Sequence, residues 1–153
     1  MAVGNPTLVD AGTFTVTKRP IPRTGELLPV AGLGTYQSFD VGNSAGERES
    51  LKEVLRLFAQ HGGALVDSSP MYGSSESVVG DLAAGLGITG RLFMATKVWT
   101  SGREAGIRQM EESMRRMKVT RMDLMQIHNL LDWRTHLKTL QEWRRRTDAP
   151  ETA

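Results

Sequence analysis

Short apolar runs alternate along this chain with longer stretches whose apolar residues recur every three or four positions. Four runs stand out: Leu28 to Leu33, Ala64 to Val66, Leu92 to Val98, and Asp123 to Ile127. Their side chains are nearly all apolar or β-branched, as expected of strands covered on both faces. Between them, Leu51, Val54, Leu55 and Phe58 mark a first helix that Gly62 and Gly63 stop, since glycine supplies the left-handed turn that ends a helix. Val78, Val79, Leu82 and Leu86 mark a second, ended by Gly85 and Gly87. Ile107, Met110, Met114 and Met117 mark a third, with Glu111 and Arg115 spaced as an i,i+4 ion pair on its polar side. Asp132 is placed to cap a fourth helix, whose apolar face is Trp133, Leu137 and Leu140.

The order is strand then helix, four times over, which implies parallel strands joined by right-handed crossovers. Two α/β architectures satisfy this order: an open doubly wound sheet, or part of a (β/α)8 TIM barrel. A whole barrel takes about 250 residues, so a chain of 153 residues supplies about half of one. Periodicity does not choose between the two. Ahead of the first strand, Thr15 to Pro29 contains Pro20, Pro22 and Gly25, and Arg23 to Glu26 reads as the turn of a short β-hairpin. Residues 1–14 have no period and are expected to form a mobile tail, with residues 15–143 as the folded body. Residues 144–153, which hold Arg144, Arg145 and Arg146, lose the apolar pattern and are expected to fray.

Composition excludes more than it selects. At 39% hydrophobic and 24% charged residues the chain is an ordinary globular one. Its 19 basic and 17 acidic side chains leave a net charge of +2, too little to draw it toward nucleic acid or membrane. It contains no cysteine, so disulfides, thiol catalysis and cysteine-ligated metals are out of reach. No stretch approaches the ~20 apolar residues that span a bilayer, and Met1 to Asp10 lack the basic-then-apolar form of a secretory signal. A cytoplasmic protein is the expectation. Gly32-Leu-Gly34-Thr-Tyr-Gln37 lacks the third glycine of a dinucleotide fingerprint, and His61, His128 and His136 have no metal-site spacing.

In parallel α/β folds the functional side chains collect at the C-terminal ends of strands. Here those positions hold Gly34-Thr35-Tyr36, Asp67-Ser68-Ser69, Lys97 and His128-Asn129. Asp67, Lys97 and His128 recur at thirty and thirty-one residues, which places one ionisable group at the same height on three successive strands. Tyr72 follows Asp67 by five residues, in a loop long enough to fold its phenol back over the strand ends. A phenol is a weak acid, titrating near ~10, and an adjacent ammonium held by a carboxylate favours its ionised form. Such a phenol can protonate a carbonyl oxygen as that oxygen gains electrons. Each residue alone has a plainer reading: Asp67 as a helix cap, Lys97 as a snorkelling side chain, His128 as a structural histidine. Trp99 either lines a substrate pocket or packs beneath the loop.

These segments resemble the aldo-keto reductase superfamily. The resemblance rests on Leu33-Gly-Thr35, Val66-Asp-Ser-Ser-Pro-Met-Tyr-Gly73, Ala95-Thr-Lys97 and Asp123-Leu-Met-Gln-Ile-His128, with Ser75-Glu76 and Val79-Gly80 also in place. It runs from about Lys18 to Trp143 and implies the N-terminal half of a (β/α)8 barrel, with the hairpin closing the barrel's bottom. It further implies that Asp67, Tyr72, Lys97 and His128 are the catalytic tetrad, with Tyr72 as general acid. By the same resemblance Gly34, Thr35, Asp67 and Asn129 contact the cofactor, NADPH or alternatively NADH. Tyr36, Trp99 and His128 would line the pocket of an aldehyde or ketone substrate. Family members continue through four more strands, so the chain is expected to be a truncated member. The alternative to a working reductase is a non-catalytic remnant that pairs with itself or a partner through exposed strand edges.

Overall fold

The computed structural model describes residues 16–147, and side chains through Arg144. The expected N-terminal tail, Thr15, and residues 148–153 of the expected C-terminal tail lie outside the described residues.

Two short strands, β1 (Lys18–Pro20) and β2 (Leu27–Pro29), pair antiparallel as the expected hairpin. The run Leu28 to Leu33 is not one strand. Its first two residues belong to β2, and only Leu33 continues into β3 (Leu33–Gly34). Proline cannot donate to a ladder, and β2 ends on Pro29. Gly32 then lies so close to β4 that an added Cβ would meet the Leu65 side chain.

From β3 the chain runs α1 (Ala45–Gln60), β4 (Leu65–Asp67), α2 (Ser75–Gly85), β5 (Phe93–Val98), α3 (Arg103–Met117), β6 (Leu124–Ile127) and α4 (Trp133–Thr147). The four strands form one parallel sheet in the order β3-β4-β5-β6. The helices contact each other in the same sequence, α1 to α2, α2 to α3 and α3 to α4. A doubly wound sheet reverses its strand order at a switch point, whereas here each unit adds beside the one before it. The architecture is therefore four consecutive βα units of a barrel.

The core lies between sheet and helices. Leu55, Val66, Val78, Val79, Met94 and Met117 are all buried there. In β5 every residue except Lys97 is buried, which explains its unbroken apolar run. Gly62, at φ 83, takes the left-handed turn that ends α1. Helices α2 and α3 approach backbone to backbone: a Cβ on Gly80 would strike the Arg116 carbonyl and the Met117 backbone.

Three helix expectations change. Arg115 pairs with Glu112 at 2.6 Å, and Glu112 also takes Arg116, in place of the expected Glu111 partner. One carboxylate between two guanidiniums satisfies both. Among the described side chains of α4 the buried residues are His136 and Thr139, with Leu140 half-buried, while Trp133 and Leu137 are 41% and 43% exposed. The helix is turned from the expected face because Gly106 of α3 leaves a space that the His136 ring fills, and Thr100 takes the ring's Nε2 at 2.7 Å. Helix α4 also extends to Thr147, so the first four residues expected to fray are helical.

At the N-terminal ends of the strands, beneath the hairpin, lies a groove of about 720 Å³. Ile21 and Leu28 of the hairpin line it together with Leu65, Phe93 and Leu124, the first residues of β4, β5 and β6. The hairpin therefore occupies one end of the sheet, and the polar strand ends occupy the other.

Candidate active site

Asp67 is the last residue of β4, and its carboxylate is held on both oxygens. Lys97 of β5 donates to Oδ2 at 2.6 Å, and Gln126 of β6 donates to Oδ1 at 2.9 Å. The Lys97 ammonium also donates to the Ser68 carbonyl at 2.7 Å. Lys97 is the one incompletely buried residue of its strand. A lysine with two short charge-assisted contacts is fixed in place, which a snorkelling side chain is not.

The three ionisable groups do not stand level in the ladder. Asp67 is opposite Ala95, and Lys97 is opposite Gln126. Each successive group therefore sits two residues further along its neighbour. An offset of two keeps every one of these side chains on the same face of the sheet, and the length of the lysine closes the gap.

Tyr72 stands in the loop after β4, with the Lys97 ammonium 5.1 Å from its ring centroid. Its ring meets His128 edge-on at 5.7 Å and Tyr36 at 5.0 Å. The loop is tied to its neighbour from the β3 end. Asp40 accepts from both the backbone N–H and the hydroxyl of Ser74 at 2.8 Å, and Ser74 Oγ accepts from Gly42 at 2.8 Å. These bonds hold the Asp40 carboxyl below the usual carboxylate range, the backbone N–H first. Gly73, at φ 56, fits here because a Cβ would run into that carboxylate.

His128 directly follows β6 and begins a short 3-10 turn, His128–Leu130, in and just after which Asn129, Leu130 and Asp132 all have positive φ. That sharp turn carries the chain into α4, and Asp132 Oδ2 accepts from the Gly102 backbone at 2.8 Å. The His128 Nδ1 lies 2.7 Å from the hydroxyl of Ser69, and its ring lies 6.4 Å from Trp99. Burial, and then the Lys97 cation, hold the imidazole below its ordinary value, while Asp67 pulls the other way.

Asp67, Tyr72, Lys97 and His128 thus form one cluster. Around it, Tyr36 is 59% exposed and Trp99 40%, so both rings flank the cluster with faces open to solvent. Gly34 has open space where a side chain would be, and Asn129 is exposed. Thr35 is different: it is fully buried, and its hydroxyl donates to the Asp67 carbonyl at 3.0 Å and shares a hydrogen bond with the Ser68 hydroxyl at 2.9 Å. That side chain braces β3 against β4.

Ser69, already one of the polar strand-end positions, and Gln126 belong to the cluster, although the sequence assigns a role to neither. Alternation along a strand carries the signal for Gln126, two positions before His128 and hence on the same face. Ser69 sits in a loop, where no period applies. Glu76 was also missed as a buried group: it is fully buried and accepts from Thr96 at 2.7 Å beneath the site. Among the described residues no helix is long and apolar enough to cross a membrane.

The aldo/keto reductase family pattern matches residues 31–143. Methylglyoxal reductase YeaE of Escherichia coli is 33% identical over 105 residues, spanning 66% of this chain and 35% of that protein. An aldo/keto reductase from Klebsiella pneumoniae, solved with NADP and acetate, superposes with a TM-score of 0.58 at 29% identity. That match covers 67% of this chain and 36% of the other. The thermostable aldo-keto reductase Tm1743, solved with the inhibitor epalrestat, gives a TM-score of 0.73 at 24% identity over 86% of this chain and 51% of the other. At that identity the likeness speaks for the fold. The chain therefore spans about a third of the first two proteins and half of the third. With the family pattern running from β3 into α4 and the cluster formed at the strand ends, this chain belongs to the aldo/keto reductase family.

Proposed function

We propose that this chain carries the proton-donating site of an NADPH-dependent oxidoreductase that reduces an aldehyde or ketone. The observation behind this reading is the single network in which Asp67 holds Lys97 and Lys97 stands beside Tyr72. A reduced nicotinamide, when bound, supplies the hydride that goes to the carbonyl carbon. Tyr72 gives its phenolic proton to the carbonyl oxygen, and the Lys97 cation stands beside the anion this leaves. Asp67 neutralises and positions that cation, so it does not drift toward solvent. His128, kept neutral by burial and by Lys97, donates a hydrogen bond to the same carbonyl oxygen and fixes its direction.

The strand-end rim suits the flat nicotinamide ring. Gly34 presents bare backbone beside Asp67, with nothing within 4 Å of where a Cβ would stand, and Asn129 lies exposed next to His128. NADPH is preferred to NADH because the Klebsiella relative was solved with NADP. A small carbonyl substrate accords with the methylglyoxal reductase likeness. Tyr36 and Trp99 would flank it. The protein acts in the cytoplasm in this reading, with neither nucleic acid nor membrane as a partner.

The test is titration with NADPH followed by nicotinamide fluorescence, together with carbonyl-dependent NADPH oxidation. Saturable binding and turnover are expected, with Tyr72→Phe lowering turnover by about 10²–10⁴-fold while leaving binding intact. Turnover that survives in Tyr72→Phe would overturn the assignment of the acid.

A second reading rests on the sheet's edges. Among the described residues, strands β3 and β6 each have one neighbour, and edge strands recruit further strands. In this reading the chain pairs with a second copy through those edges, without catalysis of its own.

A further inference from the structure

Every polar hydrogen at the strand ends has to go somewhere, and the hydroxyl of Ser69 decides more than its own. Ser69 is fully buried. Its Oγ accepts from the Met71 backbone N–H at 3.3 Å and lies 2.7 Å from His128 Nδ1. A buried hydroxyl proton needs an acceptor. Among the described residues, the Nδ1 of His128 is the acceptor within its reach. The Met71 N–H occupies a lone pair of the oxygen, which turns the proton toward the imidazole.

We propose that Ser69 is the positioning residue that fixes the tautomer of His128: Ser69 donates to Nδ1, so the ring's own hydrogen sits on Nε2. A neutral imidazole carries one N–H, and the partner of one nitrogen sets what the other can do. With Nδ1 as acceptor, Nε2 is the donor that a carbonyl oxygen requires. The opposite tautomer would present a lone pair to the substrate oxygen, and the two would repel. Ser69 also fixes the ring's rotation, since the hydroxyl belongs to a turn closed by the Tyr72 N–H on the Ser69 carbonyl at 2.9 Å. The same short segment thereby aims both the phenol of Tyr72 and the imidazole of His128. This inference rests on the proposed carbonyl reduction for its purpose, but the tautomer is a property of the protein alone.

The experiment is a long-range proton–nitrogen NMR spectrum of the ¹⁵N-labelled chain, at a pH above the titration of His128. The chain has three histidines, and His128→Gln identifies the relevant pair of signals. His136 provides an internal reference, because its Nε2 faces the Thr100 carbonyl at 2.7 Å and must carry the hydrogen. Wild-type His128 is expected to show the same pattern as His136, with Nδ1 unprotonated and Nε2 protonated. In Ser69→Ala the two nitrogen shifts are expected to move toward each other as the tautomers mix, and Ser69→Thr should restore the wild-type pattern. Two results overturn the proposal: a protonated Nδ1 in wild type, which needs no variant, or unchanged His128 shifts in a folded Ser69→Ala. Where turnover is measurable, Ser69→Ala should lower kcat about tenfold, the worth of one hydrogen bond, with KM changing less. Absence of any turnover in wild type would count against the reductase reading and leave the tautomer result standing.

Discussion

Single residues set this site through bonds that can be removed one at a time. The Asp67 carboxylate is held by Lys97 and Gln126 on separate oxygens, so Gln126→Leu frees one oxygen and keeps the other in place. Turnover in that variant should fall about tenfold, the loss of one hydrogen bond, and far less than in Tyr72→Phe; steady-state kinetics of the two variants check the order. Gly73→Ala forces a side chain into the left-handed region at φ 56 and against the Asp40 carboxylate. It should cost about 1–3 kcal/mol, read from urea unfolding, and displace Tyr72 with its loop. His128 contributes a pH dependence of definite sign. Its folded-state value lies below the ordinary 6.5, so the unfolded chain takes up the proton first as pH falls. Stability from this residue is full above about 6.5 and is lost as pH falls through the folded value. The urea midpoint should therefore drop between pH 7.5 and 5.5, and His128→Gln should remove that part of the drop.

At the scale of elements, helix packing here turns on glycine and histidine rather than on the most hydrophobic stripe. Trp133 and Leu137 have the right spacing for a core face, yet α4 buries His136 and Thr139. A space beside Gly106 admits the imidazole ring and brings its Nε2 onto the Thr100 carbonyl. Leu137→Lys should therefore change stability by no more than about 0.5 kcal/mol. Gly106→Ala, which puts a methyl group against that ring, should cost about 1–3 kcal/mol. Comparing the two unfolding curves tests which face of α4 holds the helix. The orientation reaches the site as well, because Asp132 at the start of α4 binds Gly102 in the loop after β5, close to Trp99.

At the scale of the whole molecule, the sheet order leaves two open edges among the described residues. Leu124 at the start of β6 is 42% exposed, and it also lines the groove beneath the hairpin. An apolar side chain at an unpaired edge favours association. Sedimentation equilibrium should show a species larger than the monomer, with Leu124→Lys shifting it toward monomer. A wild-type chain that is monomeric at every concentration would remove the second reading of function.

Local pattern by itself determined the alternation of four strands with four helices, because burial on two faces and burial on one face leave different periods in the residues. It also determined that Asp67, Tyr72, Lys97 and His128 lie near strand ends, since those positions follow directly from where each apolar run stops. What the pattern could not reach were relations between segments far apart in the chain. The split of Leu28 to Leu33 between hairpin and sheet depends on which backbone each half pairs with. The two-residue stagger between Asp67, Lys97 and His128 depends on ladder register, which equal spacing along the chain does not specify. The face of α4 depends on a space beside a glycine thirty residues earlier. The roles of Ser69 and Gln126 exist only as contacts 59 residues apart. Periodicity records how much of a segment is covered; which group covers it is decided by three-dimensional packing, where a single hydrogen bond or a missing Cβ outweighs hydrophobicity.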